Sequence, residues 1–111
     1  MDEWDDRLNS ALADLENQCE ERFGDEAAID LEDGVLRLEM PDGRVFLFNR
    51  HSPLKQLWLS SPLSGAWHFT YAPFVDKKIG DWRSTRGDKI SLYDLLNREL
   101  MPVLPFQCPP L

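Results

Sequence analysis

A tryptophan lies among polar residues in the segment from Lys55 to Ser61, which reads KQLWLSS. Alternate residues of a strand share a face, so Leu57 and Leu59 would point one way and Trp58 the other. We expect the leucines to face the core, because the opposite arrangement would bury the polar neighbours of Trp58. The tryptophan would then lie on the solvent side of a sheet, a position typical of protein-binding hot spots.

Polar residues are expected around Trp58. Gln56 and Ser60 share its face on the same strand, and Asn49 shares the face on the preceding strand, together with Leu47. An apolar centre with a polar rim is the anatomy of a protein interface rather than of a catalytic pocket.

Acidic residues are concentrated at one end of the sequence. Residues 1–33 contain 13 Asp and Glu but only two Arg, a balance of -11, whereas the remaining 78 residues have a balance of +3. Glu16 and Glu20 are four residues apart in a predicted helix, where like charges cost a few tenths of a kcal/mol. This region should attract cations or a basic protein surface, and it disfavours nucleic acid as a partner.

Both features also have purely structural explanations. A loop containing Ser64 and Gly65 could fold over the ring of Trp58, or Val45 and Leu47 could shield it. The acidic residues could form a solvated face that only aids solubility.

Other chemistries lack the residues that they need. His51 and His68 have no metal-site spacing to each other or to Cys19 and Cys108, which argues against a zinc site, and we expect both cysteines to be reduced and inert. Nothing resembles a catalytic triad or a phosphate-binding glycine loop, so we expect no true active site. No apolar stretch is long enough to span a bilayer, and the first thirty residues are acidic where a targeting peptide would be basic, which predicts a soluble protein.

Apolar residues between Trp4 and Phe23 recur every three or four positions, which predicts an amphipathic helix that ends at Gly24. A second helix is predicted from Ser91, a capping residue, to Pro102. Between them, alternating segments bounded by turn signals predict six strands. Their predicted bounds are Ala28 to Glu32, Val35 to Met40, Arg44 to Asn49, Gln56 to Ser61, Trp67 to Tyr71 and Asp81 to Thr85.

This order of elements predicts an α+β fold, a two-layer sandwich in which both helices cover one face of an antiparallel sheet. The other face of the sheet would be open to water. We expect a single domain over residues 1–111, with the proline-rich, apolar tail 102–111 lying across the two helices.

The run from Asn49 to Phe69, NRHSPLKQLWLSSPLSGAWHF, closely resembles the signature of the frataxins, including the bacterial CyaY type. The acidic first helix and strand and the segment SLYDLL in the last helix also match in order, so the resemblance covers nearly the whole chain. Four features depart from the family: His51 replaces a usual glutamine, Ala66 replaces a usual proline, the segment 72–80 is longer than typical, and the tail is unusual.

The resemblance implies an accessory protein of iron–sulfur cluster assembly, which binds the complex of cysteine desulfurase and scaffold protein and modulates sulfur transfer. It implies that Trp58 contacts the scaffold, with Asn49 and Gln56 hydrogen-bonding nearby and His68 in place of a family arginine. His51 and Ser60 would complete the partner-binding surface.

The resemblance also implies an acidic ridge that meets a basic patch on the desulfurase and binds iron weakly. The ridge would consist of Glu16, Glu20, Glu21, Asp25, Glu26, Asp30, Glu32 and Asp33. Carboxylates are hard ligands that suit iron, but a convex helix cannot converge six oxygens on one ion, so weak binding of several ions is expected. An EF-hand at Asp30–Gly34 is excluded, because Ile29 would occupy its first ligand position.

Two other functions remain open at this point. The chain could be an iron store or ferroxidase that works through the ridge alone, or an acidic decoy that occupies a basic nucleic-acid-binding protein. The family likeness favours the accessory role, in a monomeric protein of the bacterial cytoplasm or the mitochondrial matrix. The sequence does not fix whether the desulfurase is activated or inhibited.

Overall fold

The computed structural model describes residues 3–72 and 81–108. Within them, two helices flank six strands in the chain order α1, β1–β6, α2. The elements are α1 (Glu3–Phe23), β1 (Ala28–Glu32), β2 (Val35–Glu39), β3 (Val45–His51), β4 (Gln56–Ser61), β5 (Gly65–Ala72), β6 (Asp81–Ser84) and α2 (Leu92–Leu100). The strands form one antiparallel sheet in sequential order, which confirms the predicted fold class. The segment 73–80, part of the one expected to be longer than in relatives, lies outside the described residues.

Tight turns set the register of the first strands. Asp33 and Gly34 both have positive φ (52° and 76°), the conformation of a two-residue hairpin turn whose twist matches that of the strands. This turn places Glu32 opposite Val35. A side chain at Gly34 would also clash with Arg50, since a Cβ there would lie 2.7 Å from the Arg50 Nε. Glycine is therefore favoured at this position by its conformation, and any larger residue would also require the Arg50 side chain to move.

In the described part of the chain, the core lies on one side of the sheet. The strand residues that face it alternate with residues on the open face, and the two helices cover them with their apolar stripes. The sheet contributes Leu36, Leu38, Phe46, Phe48, Leu57, Leu59, Trp67, Phe69 and Trp82, and the helices contribute Leu8, Leu12, Leu15, Cys19, Leu92, Leu95, Leu96 and Leu100. In the described part of the chain, neither helix is long and apolar enough to cross a membrane.

Strand β3 extends two residues beyond its predicted end. Arg50 points toward the helix layer, where its Nη1 donates to the Asn9 side chain on α1 at 2.6 Å, and its backbone N–H donates to the Gly34 carbonyl. These bonds hold the end of β3 in the sheet. As a result His51 is a strand residue, paired with Gln56.

The tail is fastened to both helices by three side chains, which we name the tail clamp: Gln18, Arg22 and Asn97. The Asn97 amide donates to the Phe106 carbonyl at 2.9 Å and accepts from its N–H at 2.6 Å. Gln18 makes the same pair of bonds with Gln107, at 2.8 and 3.1 Å. The ring of Phe106 is buried, so the described part of the tail closes the groove between the helices.

Candidate functional site

Trp58 lies on the open face of the sheet, with Leu57 and Leu59 buried on the other, as the strand pattern predicts. Its cross-strand neighbours are Asn49 on β3 and His68 on β5. The indole is half-buried. Part of its cover comes from two histidines, which the sequence analysis did not predict.

The indole is sandwiched between two imidazoles, an arrangement that we name the indole stack (His51, Trp58 and His68). The His51 ring lies 4.0 Å from the indole centroid with 6° between planes, and the His68 ring lies at 4.2 Å with 12°. The Trp58 Nε1–H donates to the Gln56 side chain at 2.8 Å. Both faces of the ring are covered, so a partner would meet the tryptophan by its edge and would meet the outer faces of the imidazoles.

The sequence placed His51 among the partner-binding residues but did not predict its stacking on Trp58, because the predicted strand ended at Asn49. Once β3 reaches His51, the residue pairs with Gln56 and becomes a diagonal neighbour of Trp58, within reach of an aromatic side chain. The alternation of faces along β3 could have revealed it. If the strand continues through Arg50 on the core side, the next residue, His51, lies on the open face.

The predicted partner-binding residues all lie on one face. Ser60 is exposed two residues after Trp58 on β4, between Leu47 and Ala66 on the neighbouring strands. The open face over β3–β5 therefore brings together Asn49, His51, Gln56, Trp58, Ser60 and His68.

Two serines of the SSPLSG segment serve the fold. The hydroxyls of Ser61 and Ser64 donate to the two carboxylate oxygens of Glu99 on α2, at 2.6 and 2.5 Å. Ser61 also accepts from the backbone N–H groups of Leu63 and Ser64, and the Trp67 Nε1–H donates to Ser64. The Glu99 carboxylate therefore ties the β4–β5 turn to α2. Sequence reasoning did not identify Glu99.

The acidic ridge follows the last turns of α1, the loop after it, β1 and the turn that follows β1. Glu16 is half-buried and the other seven carboxylates are exposed. Among the residues that the structure describes, no three Asp, Glu, His or Cys side chains are grouped so that they could hold a metal ion. The ridge therefore presents a line of exposed negative charge.

Comparison with known proteins agrees with this architecture. The family model of the frataxin-like domain matches residues 1–105. The mitochondrial frataxin homolog of Saccharomyces cerevisiae is 36% identical over 100 residues, which cover 89% of this chain and 53% of the yeast protein, so the chain spans about half the length of that relative. The iron–sulfur cluster assembly protein CyaY of Pseudomonas aeruginosa is 36% identical over 95 residues, covering 83% of this chain and 82% of that protein.

Solved structures give the same result. The trimeric yeast frataxin complexed with ferrous iron has a TM-score of 0.62 at 35% identity, covering 91% of this chain and 84% of its own. The frataxin of Psychromonas ingrahamii has a TM-score of 0.73 and covers 89% of this chain and 86% of its own; at 23% identity this likeness concerns the fold alone. Since the family model spans nearly the whole sequence and relatives above 30% identity match most of it, this chain belongs to the frataxin family.

Proposed function

We propose that this chain is an accessory protein of iron–sulfur cluster assembly that binds the cysteine desulfurase–scaffold complex and modulates sulfur transfer. Its Pseudomonas relatives are named as iron–sulfur cluster assembly proteins. The observation that supports a two-partner role is one cross-strand row of the open face, which joins the acidic ridge to the indole stack.

This row can be followed from strand to strand. Glu32 on β1 pairs with Val35 on β2. Val35 pairs with Asn49 on β3, and Asn49 pairs with Trp58 on β4. Three inter-strand spacings separate Glu32 from Trp58, a distance of about 14 Å. Where two partner proteins meet, this chain could therefore contact a basic surface on one of them with the ridge and an apolar surface on the other with Trp58.

Each surface contributes in a different way. Exposed carboxylates on the ridge would speed association with a basic desulfurase surface and lose influence as salt rises. The edge of the stacked indole would bury apolar area against the scaffold and slow dissociation. Asn49, Gln56 and Ser60 would form the polar rim around this contact.

The experiment is the Trp58→Arg variant, assayed for desulfurase activity and cluster synthesis with purified desulfurase and scaffold. We expect binding to the complex to weaken by about 2 kcal/mol or more, because the indole is the central apolar group of the open face over β3–β5. Leu63→Arg is the matched control, since Leu63 is exposed on the turn outside the patch. Circular dichroism should show that both variants remain folded. Unchanged modulation by Trp58→Arg would refute the proposal.

We further propose that the ridge binds ferrous iron weakly, as cargo. The yeast relative was crystallised with ferrous iron, and carboxylates are suitable ligands. If the chain were instead an iron store or ferroxidase working through the ridge alone, neutralising Glu20, Glu21, Asp25 and Asp30 would abolish iron oxidation while Trp58→Arg would have no effect on function.

We expect this chain to act as a monomer, in the bacterial cytoplasm or the mitochondrial matrix; its relatives include a mitochondrial protein and a bacterial one. Light scattering across a concentration series, with and without ferrous iron, tests the monomer. A trimer, the state described for the yeast relative, would contradict it.

A further inference from the structure

Three large apolar side chains are exposed side by side just after α2. Met101 is 79% exposed, Val103 is fully exposed at 105%, and Leu104 is 47% exposed. We name these three residues the tail patch. Leu54 and Leu63, the other large apolar residues that are exposed in the described part of the chain, belong to two separate loops. A contiguous apolar patch, unlike a single exposed leucine, is typical of an interaction site.

The tail clamp holds this patch in one geometry. The Arg22 Nε donates to the Leu104 carbonyl at 2.8 Å, and its Nη2 donates to the Pro105 carbonyl at 2.7 Å. The same guanidinium lies 4.8 Å from the centroid of the Phe106 ring, and the Arg22 side chain is only 3% exposed. Because these bonds already fix the backbone beside the tail patch, ordering the patch on binding would cost a ligand little free energy.

The patch borders a groove. The last turn of α1 and the start of the tail enclose a depression of about 310 Å³, near the lower end of the size range of ligand sites. Phe23, Pro102 and Leu104 contribute apolar groups to its lining, and Glu21 and Glu26 contribute carboxylates. Both glutamates are exposed. The groove therefore combines apolar side chains with negative charge.

The charge around the groove selects its occupant. Arg22, the cation of its lining, is directed to tail carbonyls and pairs with Glu21 at 3.5 Å. The acidic ridge continues along α1 and the following loop, so the rim remains strongly negative. A second copy of this chain that docked through the same surface would bring the two acidic ridges together.

We infer that this groove binds a basic amphipathic segment of a partner protein. An apolar side chain of that segment inserts beside Leu104 and against Val103, and flanking lysine or arginine side chains pair with Glu21 and Glu26. The site lies apart from the indole stack, and its occupant is defined by its chemistry. The groove shares Glu21 and Glu26 with the acidic ridge and no residue with the indole stack, so it can be tested separately from the proposed contact of Trp58 with the scaffold.

The test uses an amidated helical peptide of leucine and lysine, with leucines on one face, titrated into the isotope-labelled full chain and followed by NMR. The expected shifts are at Glu21, Phe23 and Glu26 and in the tail patch. A second peptide, with serine replacing leucine at unchanged charge, should bind at least about tenfold more weakly, because it has no side chain to bury.

Matched protein variants separate the groove from general attraction to negative charge. The double variant Val103→Ser, Leu104→Ser should raise the Kd for the leucine–lysine peptide by about tenfold or more. The double variant Leu54→Ser, Leu63→Ser, which removes equally exposed leucines elsewhere, should leave the Kd unchanged. Trp58→Arg should also leave this Kd unchanged. The groove and the proposed contact with the scaffold are therefore tested by different variants.

Several results would overturn the inference. Equal affinity of both peptides, shifts confined to the ridge or to the open face, or no binding at all would exclude an apolar groove as the site. Self-association that is abolished by Val103→Ser, Leu104→Ser would identify a second copy as the occupant instead. Melting temperatures of the two double variants serve as the check that each remains folded.

Discussion

Burial alters the acid–base chemistry of individual side chains on α1. Asp14 is half-buried, and this burial raises its pKa above the usual value, although a hydrogen bond from Gln18 and the charge of Arg22 act in the opposite direction. Asp42 differs, because its hydrogen bonds with the backbone and side chain of Arg44 lower its pKa. These two aspartates should therefore have opposite effects on stability.

We expect Asp14→Asn to raise the melting temperature at pH 7. A carboxyl whose pKa is raised on folding contributes stability only below its unfolded pKa, 3.8, and loses that contribution as pH rises through the folded pKa. At neutral pH the half-buried charge of Asp14 lowers the free energy of unfolding, and asparagine carries no such charge. Its amide oxygen can still accept a hydrogen bond from Gln18. The advantage should disappear below pH 3.8.

Asp42→Asn is the matched comparison. Its folded pKa is lowered, so it contributes stability above the unfolded pKa and loses it in acid. The substitution should lower the melting temperature at pH 7 and have no effect in strong acid. Thermal melts of both variants between pH 2.5 and 7 measure the two differences, and equal signs at neutral pH would contradict the assignment.

Cys19 should be chemically silent in the folded protein. Its side chain is fully buried, and burial raises the pKa of the thiol to about 12. The thiolate is the reactive form, so very little of it exists at pH 8. In the background Cys108→Ser, Ellman's reagent should react with Cys19 only at the rate of unfolding. Rapid reaction without urea would show that the site is open.

At the scale of elements, the β4–β5 turn and α2 depend on each other through Glu99. Ser61→Ala should destabilise the protein by about 1.5–3 kcal/mol, because it removes a hydrogen bond to the half-buried carboxylate of Glu99 and leaves two N–H groups without their acceptor. Ser60→Ala should change stability by less than about 0.5 kcal/mol, since Ser60 is exposed. Urea unfolding of the two variants gives the comparison, and similar losses would disprove the distinction.

The positions of the helices and strands were predictable from the sequence, but the hydrogen bonds that hold them together were not. Apolar spacing in α1 and alternation in β1 and β4 gave helix and strand positions close to those observed, because those patterns follow from which face is buried. The end of β3 depends on Arg50 reaching Asn9, a contact between distant parts of the chain. Such hydrogen bonds leave no periodic pattern in the sequence.

The candidate site divides in the same way. The face occupied by Trp58 followed from Leu57 and Leu59, because strand parity is a local property. The stacking of His51 and His68 on the indole depends on cross-strand register, which local patterns do not give. The bonds between Asn97 and Phe106 were likewise invisible in the sequence, since an asparagine on a helix usually reaches only water.

For the whole molecule, the uneven charge should make stability depend on salt. The ridge places like charges along α1 and β1, and the repulsion between exposed charges is screened within about 10 Å at 0.1 M salt. We expect the melting temperature to rise by several degrees between 10 and 500 mM sodium chloride, equivalent to about 1 kcal/mol.

The double variant Glu20→Gln, Glu21→Gln should show a smaller rise, because it removes charges from the ridge. Asp88→Asn, Asp94→Asn makes the same change in net charge away from the ridge and should keep most of the salt dependence. A salt response that is equal in the two double variants would mean that net charge, and not its crowding on the ridge, is responsible.

The one-sided core has an evolutionary consequence. Among residues 3–72 and 81–108, the helices and the large buried side chains lie on one side of the sheet, so substitutions on the opposite side disturb mainly their neighbours across the strands. Recognition can therefore drift with a changing partner without first accumulating stabilising mutations elsewhere. His51 illustrates this separation, because its ring covers Trp58 on the open face while Phe46 and Phe48 of the same strand are buried in the core.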